Sequence, residues 1–97
     1  MSNSLQLSAQ VTQEDVLRYT PAGIAILQIW LSHLSEQEEI CIKRKVDCVI
    51  QGVLVGQQAI DYAGKLMGHS IEAVGFLAKR SLSNTRLVFH IQQLKLI

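Results

Sequence analysis

Leu5, Leu7, Ala9 and Val11 alternate with Gln6, Ser8, Gln10 and Thr12, and this two-residue period predicts a strand with one buried and one wetted face. Thr20-Pro21-Ala22-Gly23 follows as a turn, because proline fixes φ at the corner and glycine reaches positive φ at no steric cost. A second strand is predicted from Ile24 to Ser32, with Ala25, Leu27, Ile29 and Leu31 inward and Gln28 and Trp30 on the other face. Glu36-Gln37-Glu38-Glu39 reads as a solvated acidic hairpin loop. In a third strand, Ile40 to Ile50, the residues Ile40, Ile42, Val46, Cys48 and Ile50 share one face while Lys43, Lys45 and Asp47 share the other. Arg44 interrupts the apolar side, which points to a bulge or an edge position there.

Between Gly56 and Gly68 the period changes. Ala59, Ile60, Ala63, Leu66 and Met67 are spaced to line one side of a short helix that Gly64 weakens. A fourth strand, Ser70 to Leu77, turns Ile71, Ala73, Gly75 and Leu77 inward and leaves Phe76 outside. A polar, basic loop covers Lys79 to Thr85, and a fifth strand from Arg86 to Ile97 brings in Leu87, Phe89 and Ile91. Gln92-Gln93 marks a bulge that shifts the inward set to Leu94 and Leu96. Three strands, a short helix and two further strands is the order of an all-β, five-stranded OB-fold barrel with its helix between strands three and four. Closure also removes exposed sheet edges.

With 97 residues the chain has apolar surface for one core, so residues 1–97 are expected to form a single domain. Hydrophobic residues make up 48% of it and charged residues 18%, a composition that folds rather than stays disordered. The net charge of +1 is too small for a long-range field, so any affinity for nucleic acid must arise from local clusters of Lys and Arg. Cys41 and Cys48 have no second Cys or His pair at zinc-ligand spacing, and are expected to be reduced, packed thiols. The start of the chain has no basic segment followed by an apolar run, so no signal peptide is expected and the protein is placed in the cytoplasm. Tyr19 to Ser35, the longest uncharged run, is shorter than the ~20 apolar residues that span a bilayer, and no membrane partner is expected.

Hydrolytic or transfer chemistry needs a nucleophile with its base, paired carboxylates or a metal constellation, and no such spacing is present. His33, His69 and His90 stand in no metal-ligand relation, and surface or hydrogen-bonded roles are expected for them. Gly52-Val53-Leu54-Val55-Gly56 lacks the Lys-Ser/Thr of a phosphate loop, so its glycines are read as turn or close-packing residues. The chain therefore reads as a non-enzyme without cofactor or metal.

Binding is better supported. Lys43 and Lys45 lie on one side of a strand, Lys79, Arg80 and Arg86 bracket the last loop, and Arg18 precedes the first turn. An OB topology can bring these onto one groove for single-stranded nucleic acid, although charges so spread also serve plain solubility. Aromatic rings are the other requirement of single-strand binding. Trp30 and Phe76 face outward, and Trp30 is open to stacking a base, filling a subunit interface or packing under a loop.

The chain resembles the bacterial primosomal replication protein N (PriB) family, relatives of single-stranded DNA-binding proteins. The resemblance rests on Asn3-x-Leu5-x-Leu7-Ser8, Thr20-Pro21-Ala22-Gly23-Ile24, Gln28, His33 and Gln37-Glu38-Glu39. It continues through Gly68-x-x-Ile71-x-x-x-Gly75-Phe76-Leu77 and Leu87-Val88-x-His90-x-x-Gln93-Leu94-x-Leu96-Ile97. It implies a homodimer that binds single-stranded DNA and assists the PriA helicase and other primosome proteins in restarting replication forks. Family DNA contacts map onto Arg18, Lys79, Arg80 and Arg86. Outward Ile24, Ile26 and Trp30 also favour a dimer, since they leave more apolar surface than a lone barrel should expose.

Two departures weaken the DNA term. A stacking tryptophan of related proteins is replaced here by Asp47, with Ile42 at the nearby aromatic position, and the basic loop is about two residues shorter. Asp47 thus favours a competing reading, an OB-fold adaptor that recruits a helicase or loader with little DNA binding, while the Lys79–Arg86 cluster favours DNA.

Overall fold

The first predicted strand is realised as β1 (Leu5–Glu14), with Ala9 and Val11 buried, in a computed structural model that describes all 97 residues. After a two-residue strand, β2 (Arg18–Tyr19), come β3 (Ala25–Glu39) and β4 (Ile42–Val55), the helix α1 (Gln57–Tyr62), β5 (Ser70–Lys79) and β6 (Leu87–Leu96). Thr20-Pro21-Ala22-Gly23 makes the expected turn: the Gly23 amide donates to the Thr20 carbonyl at 2.8 Å and Gly23 has φ +83°.

The sheet order is β1-β5-β6-β4-β3-β2, and β1 also pairs with β3, so the five long strands close into an OB barrel. Closure turns on a bulge in β1. Val11 pairs with Leu31 but Gln13 with Trp30, which leaves Thr12 as the extra residue where β1 crosses from β5 to β3. Such a bulge raises the local twist that a barrel corner needs. The inward sets predicted for the second and fourth strands hold: Leu27, Ile29, Leu31, Ile71 and Ala73 are buried in one core with Phe89 and Leu54. The Gln92 bulge holds as well, since Val74 pairs with Gln93 and Gly75 with Ile91, but of the residues expected inward beyond it only Leu94 packs on the core, and Leu96, at the end of the strand, is exposed.

The helix is shorter than the pattern from Ala59 to Met67 suggested, ending after six residues. Its expected continuation is captured by Glu14, whose carboxylate accepts the Gly64 amide at 2.6 Å and the Leu66 amide at 3.0 Å. These donors are thereby satisfied outside a helix, and Leu66 closes the barrel end fully buried.

The largest correction concerns the acidic segment. Glu36–Glu39 is no loop but the end of β3, paired residue by residue with the start of β4, Glu36 to Lys45 and Glu38 to Lys43. The β3–β4 hairpin outruns the barrel, and the arm helps stretch the molecule to 50 Å in its longest dimension. No third strand covers the arm, so Cys41 and Cys48 are exposed free thiols rather than packed ones. Of the two readings of Arg44 the edge position holds, since β4 has only β3 beside it there, and no bulge forms. Leu87, at the mouth of β6, is 53% exposed and not in the core.

The arm turns at Ile40 and Cys41, with φ of 51° and 60°. Two consecutive left-handed residues are the requirement of a type I′ hairpin turn, which Asn-Gly meets and which costs an ordinary L-residue ~1–2 kcal/mol. The pair Ile40→Asn and Cys41→Gly is therefore expected to stabilise the protein by ~1–2 kcal/mol, raising the melting temperature by about 4–8 °C per kcal/mol. A thermal melt that is unchanged or lower would show that the tip is unstrained.

Candidate nucleic-acid interface

The outward parity of four adjacent strands builds one surface. Phe76 (β5), His90 (β6), Val53 (β4) and Gln28 (β3) are successive cross-strand partners, and so are Ala78, Val88, Gln51 and Trp30 in the adjacent row. Ile26 and Val55 form part of a third row, extended by Arg18 across the β2–β3 pairing. These residues point away from the core, yet Gln51 and Val53 are only 7% exposed and Val88 only 5%. They are the floor of a concave groove.

Three hollows lie along that groove, neighbouring ones sharing lining residues. One, of about 440 Å³, lies against Val53, Val55, Gln58, Phe76 and His90. A smaller one, of about 150 Å³, has Arg18 and Arg80 on its rim and Gln28, Gln51 and Val88 on its floor. The third, again about 440 Å³, sits between Trp30 and Arg86. No carboxylate lines any of them.

The loop between β5 and β6 brings two of the predicted cations together. Its base is pinched by the Arg80 amide donating to the Arg86 carbonyl at 2.9 Å, and its tip by the Ser81 amide donating to Asn84 O at 3.2 Å. Arg80 Nη1 reaches Gln51 Oε1 at 3.4 Å, which holds the guanidinium over the groove. Lys79 differs: it has the strand parity of inward Leu77, opposite to Ala78 and Arg80, and sits exposed at the end of β5. Neither Arg18, Arg80, Arg86 nor Lys79 is engaged in an ion pair.

The other candidates lie apart. Lys43, Lys45 and Asp47 share the parity of Trp30 and Gln51, but on the projecting arm. At ~3.3 Å per residue, Lys43 is about 26 Å along β4 from Gln51, and Asp47 about 13 Å. Lys43 is bridged to Glu36 at 3.6 Å, and Arg44 to Glu39 at 3.2 Å. Asp47 is exposed and unpaired. Trp30 is half-buried and walls the hollow shared with Arg86, while Phe76 stacks on His90 with ring centroids 4.9 Å apart and planes 2° from parallel. The sequence analysis gives His90 only a surface or hydrogen-bonded role and Gln51 none, and places neither in the interface. Their signal was their parity, opposite to buried Phe89 and Leu54, but parity does not reveal that the outer face is concave.

A family profile described as another single-strand binding protein family matches residues 3–93. The replication restart protein PriB of Bordetella pertussis is 35% identical over 95 residues, which cover 98% of this chain and 89% of that protein. The PriB of Nitrosomonas europaea is 30% identical over 95 residues, covering 98% and 88%. The structure of PriB from Ralstonia solanacearum matches with a TM-score of 0.90 at 34% identity, over 99% of this chain and 98% of that one. The single-stranded DNA-binding protein of Thermus aquaticus matches at a TM-score of 0.81 and 24% identity, with half of that chain covered (50%), a likeness of fold alone.

Proposed function

Because the chain belongs to the PriB family of replication restart proteins, within the single-strand binding proteins, we propose that it binds single-stranded DNA along the groove of β3, β4, β5 and β6 and acts in replication restart. The observation that carries this reading is the groove itself: a floor of valines and glutamines, aromatic side chains along it, and Arg18, Arg80 and Arg86 beside it without ion-pair partners, with no carboxylate in its lining. Single-strand binders combine these features, with stacking supplying sequence-tolerant affinity and the cations tracking phosphates. In this reading residues 1–97 work as one OB module without catalytic residues. It forms a homodimer and stabilises helicase–DNA complexes, PriA being the helicase. The test is titration of a fluorescent oligo(dT) across salt concentrations. A negative linear dependence of log K on log salt supports it, and absence of binding at low salt refutes it. Sedimentation at tens of micromolar, about the concentration at which a micromolar dimer is well populated, checks the homodimer.

The arm favours a second reading, a protein adaptor that recruits a helicase or loader with little DNA bound. Its basic residues face Glu36 and Glu38 across the hairpin, and Leu34 and Ile40 are 70% and 89% exposed. Asp47 discriminates between the two. If DNA passes onto the arm, Asp47→Trp removes a repulsion, adds a ring and tightens binding by ~1–3 kcal/mol, whereas Asp47→Asn gives only the smaller electrostatic part. Unaltered titrations of both variants would confine DNA to the barrel groove and leave the arm to protein partners.

A further inference from the structure

Resting on that reading, we propose that the paired rings of Phe76 and His90 are the base-stacking platform of the groove, with phosphates of the same strand held by Arg18 and Arg80. The aromatic supply of the chain directs attention there. Of its five aromatic residues, Phe89 is fully buried, Tyr62 packs against the core and Tyr19 lies on β2 outside the groove rows. Trp30 and Phe76 remain, and His90 adds a third planar ring. Asp47 supplies none, and it lies out on the arm.

The two rings are built for a stack. They are parallel within 2° and 4.9 Å apart, on residues paired directly across β5 and β6. Two hollows adjoin them: Phe76 and His90 line one, and His90 with Arg18 and Arg80 lines the other. Their neighbours along the groove, Ala78, Val88 and Val53, are too small to cover the ring faces. His33 shows the contrast, because its ring is tied down by Ser8 O at 2.7 Å and Ser35 Oγ at 2.8 Å. The His90 ring has no such tether.

The backbone beneath the pair is held rigidly. Gly75 lets the His90 carbonyl approach so closely that a Cβ would lie 1.8 Å from it, and the Gln92 bulge is secured by Gln58 Nε2 donating to Gln92 O at 2.8 Å. A platform on fixed strands loses little entropy when a base docks. A cross-strand ring pair also stabilises a sheet by itself, so the test must separate the two roles.

His90→Leu and Phe76→Leu retain apolar bulk without a ring, and His90→Phe retains the ring without the imidazole. In titrations with oligo(dT), each leucine variant is expected to bind about tenfold more weakly, the size of one lost base stack, with an unchanged salt slope because no phosphate contact is removed. His90→Phe is expected to bind within about twofold of the parent protein. The His90 ring protons should also move upfield when the parent protein is saturated with oligo(dT). Leucine variants that keep a native circular dichroism spectrum and full affinity would overturn the platform while leaving the DNA-binding reading intact. Should the leucine variants fail to fold, unmoved His90 ring protons at saturation would overturn it equally. A parent protein that binds no oligo(dT) at low salt refutes both readings.

Discussion

Gly75→Ala is expected to destabilise the protein by ~3 kcal/mol or more, out of the ~5–15 kcal/mol that holds a domain of this kind together. The added Cβ would stand 1.8 Å from the His90 carbonyl oxygen and 2.8 Å from its carbon. Both are backbone atoms, so no side chain can swing aside and β6 must move away from β5. Pairing of β5 with β6 carries the Phe76–His90 stack, so the same substitution should also lower single-strand affinity. Gly23→Ala is the control. A methyl group there would meet no atom within 4 Å, and only the φ of +83° opposes the change, at ~1 kcal/mol. Denaturant unfolding of the two variants should therefore give clearly different midpoints. Equal midpoints would mean that β5 and β6 can separate cheaply at this point and that the bulge is loose.

Replacing Lys79, Arg80 and Arg86 together by alanine is expected to flatten the salt dependence of oligo(dT) binding by about 0.7 per lost phosphate contact, or ~2 for three contacts. At 0.1 M salt the same slope corresponds to a loss of about a hundredfold in affinity. The fold should survive, because none of the three forms an ion pair and all three are exposed. The single variants should be unequal. Arg80 is held over the groove by Gln51 and Arg86 walls the hollow with Trp30, whereas Lys79 has the opposite parity. Arg80→Ala and Arg86→Ala should each weaken binding more than Lys79→Ala. If the triple variant binds like the parent with native circular dichroism, these cations serve solubility and DNA takes another path.

Much of the barrel was legible in the residue pattern. Ala25, Leu27, Ile29 and Leu31 had to turn inward together because successive strand side chains alternate, and Thr20-Pro21-Ala22-Gly23 could only be a corner. The doublet Gln92-Gln93 breaks an otherwise regular alternation, and the extra residue lies there in the structure. The family motifs, spread over nearly the whole chain, carried the functional class with them. What alternation cannot report is whether anything covers the face it defines. Ile40 to Ile50 has the same apolar period as a core strand, yet most of that segment projects beyond β1 and β6, so its cysteines are exposed and the acidic segment before it is a paired strand. The helix stops short of its periodic pattern for a related reason, since the acceptor that takes the amides beyond it, Glu14, is 50 residues away from Gly64 in the chain.

The candidate interface divides along the same line. The sequence by itself determined which residues are basic or aromatic and which of them face outward, because both follow from residue type and parity. Only the tertiary structure decided that the outer face is concave, that Arg18 and Arg80 meet across it, and that His90 stacks on Phe76. Those facts depend on the closure of β1 against both β3 and β5 and on the parallel pairing of β4 with β6. Such long-range pairings bring together residues whose separation along the chain leaves no local mark.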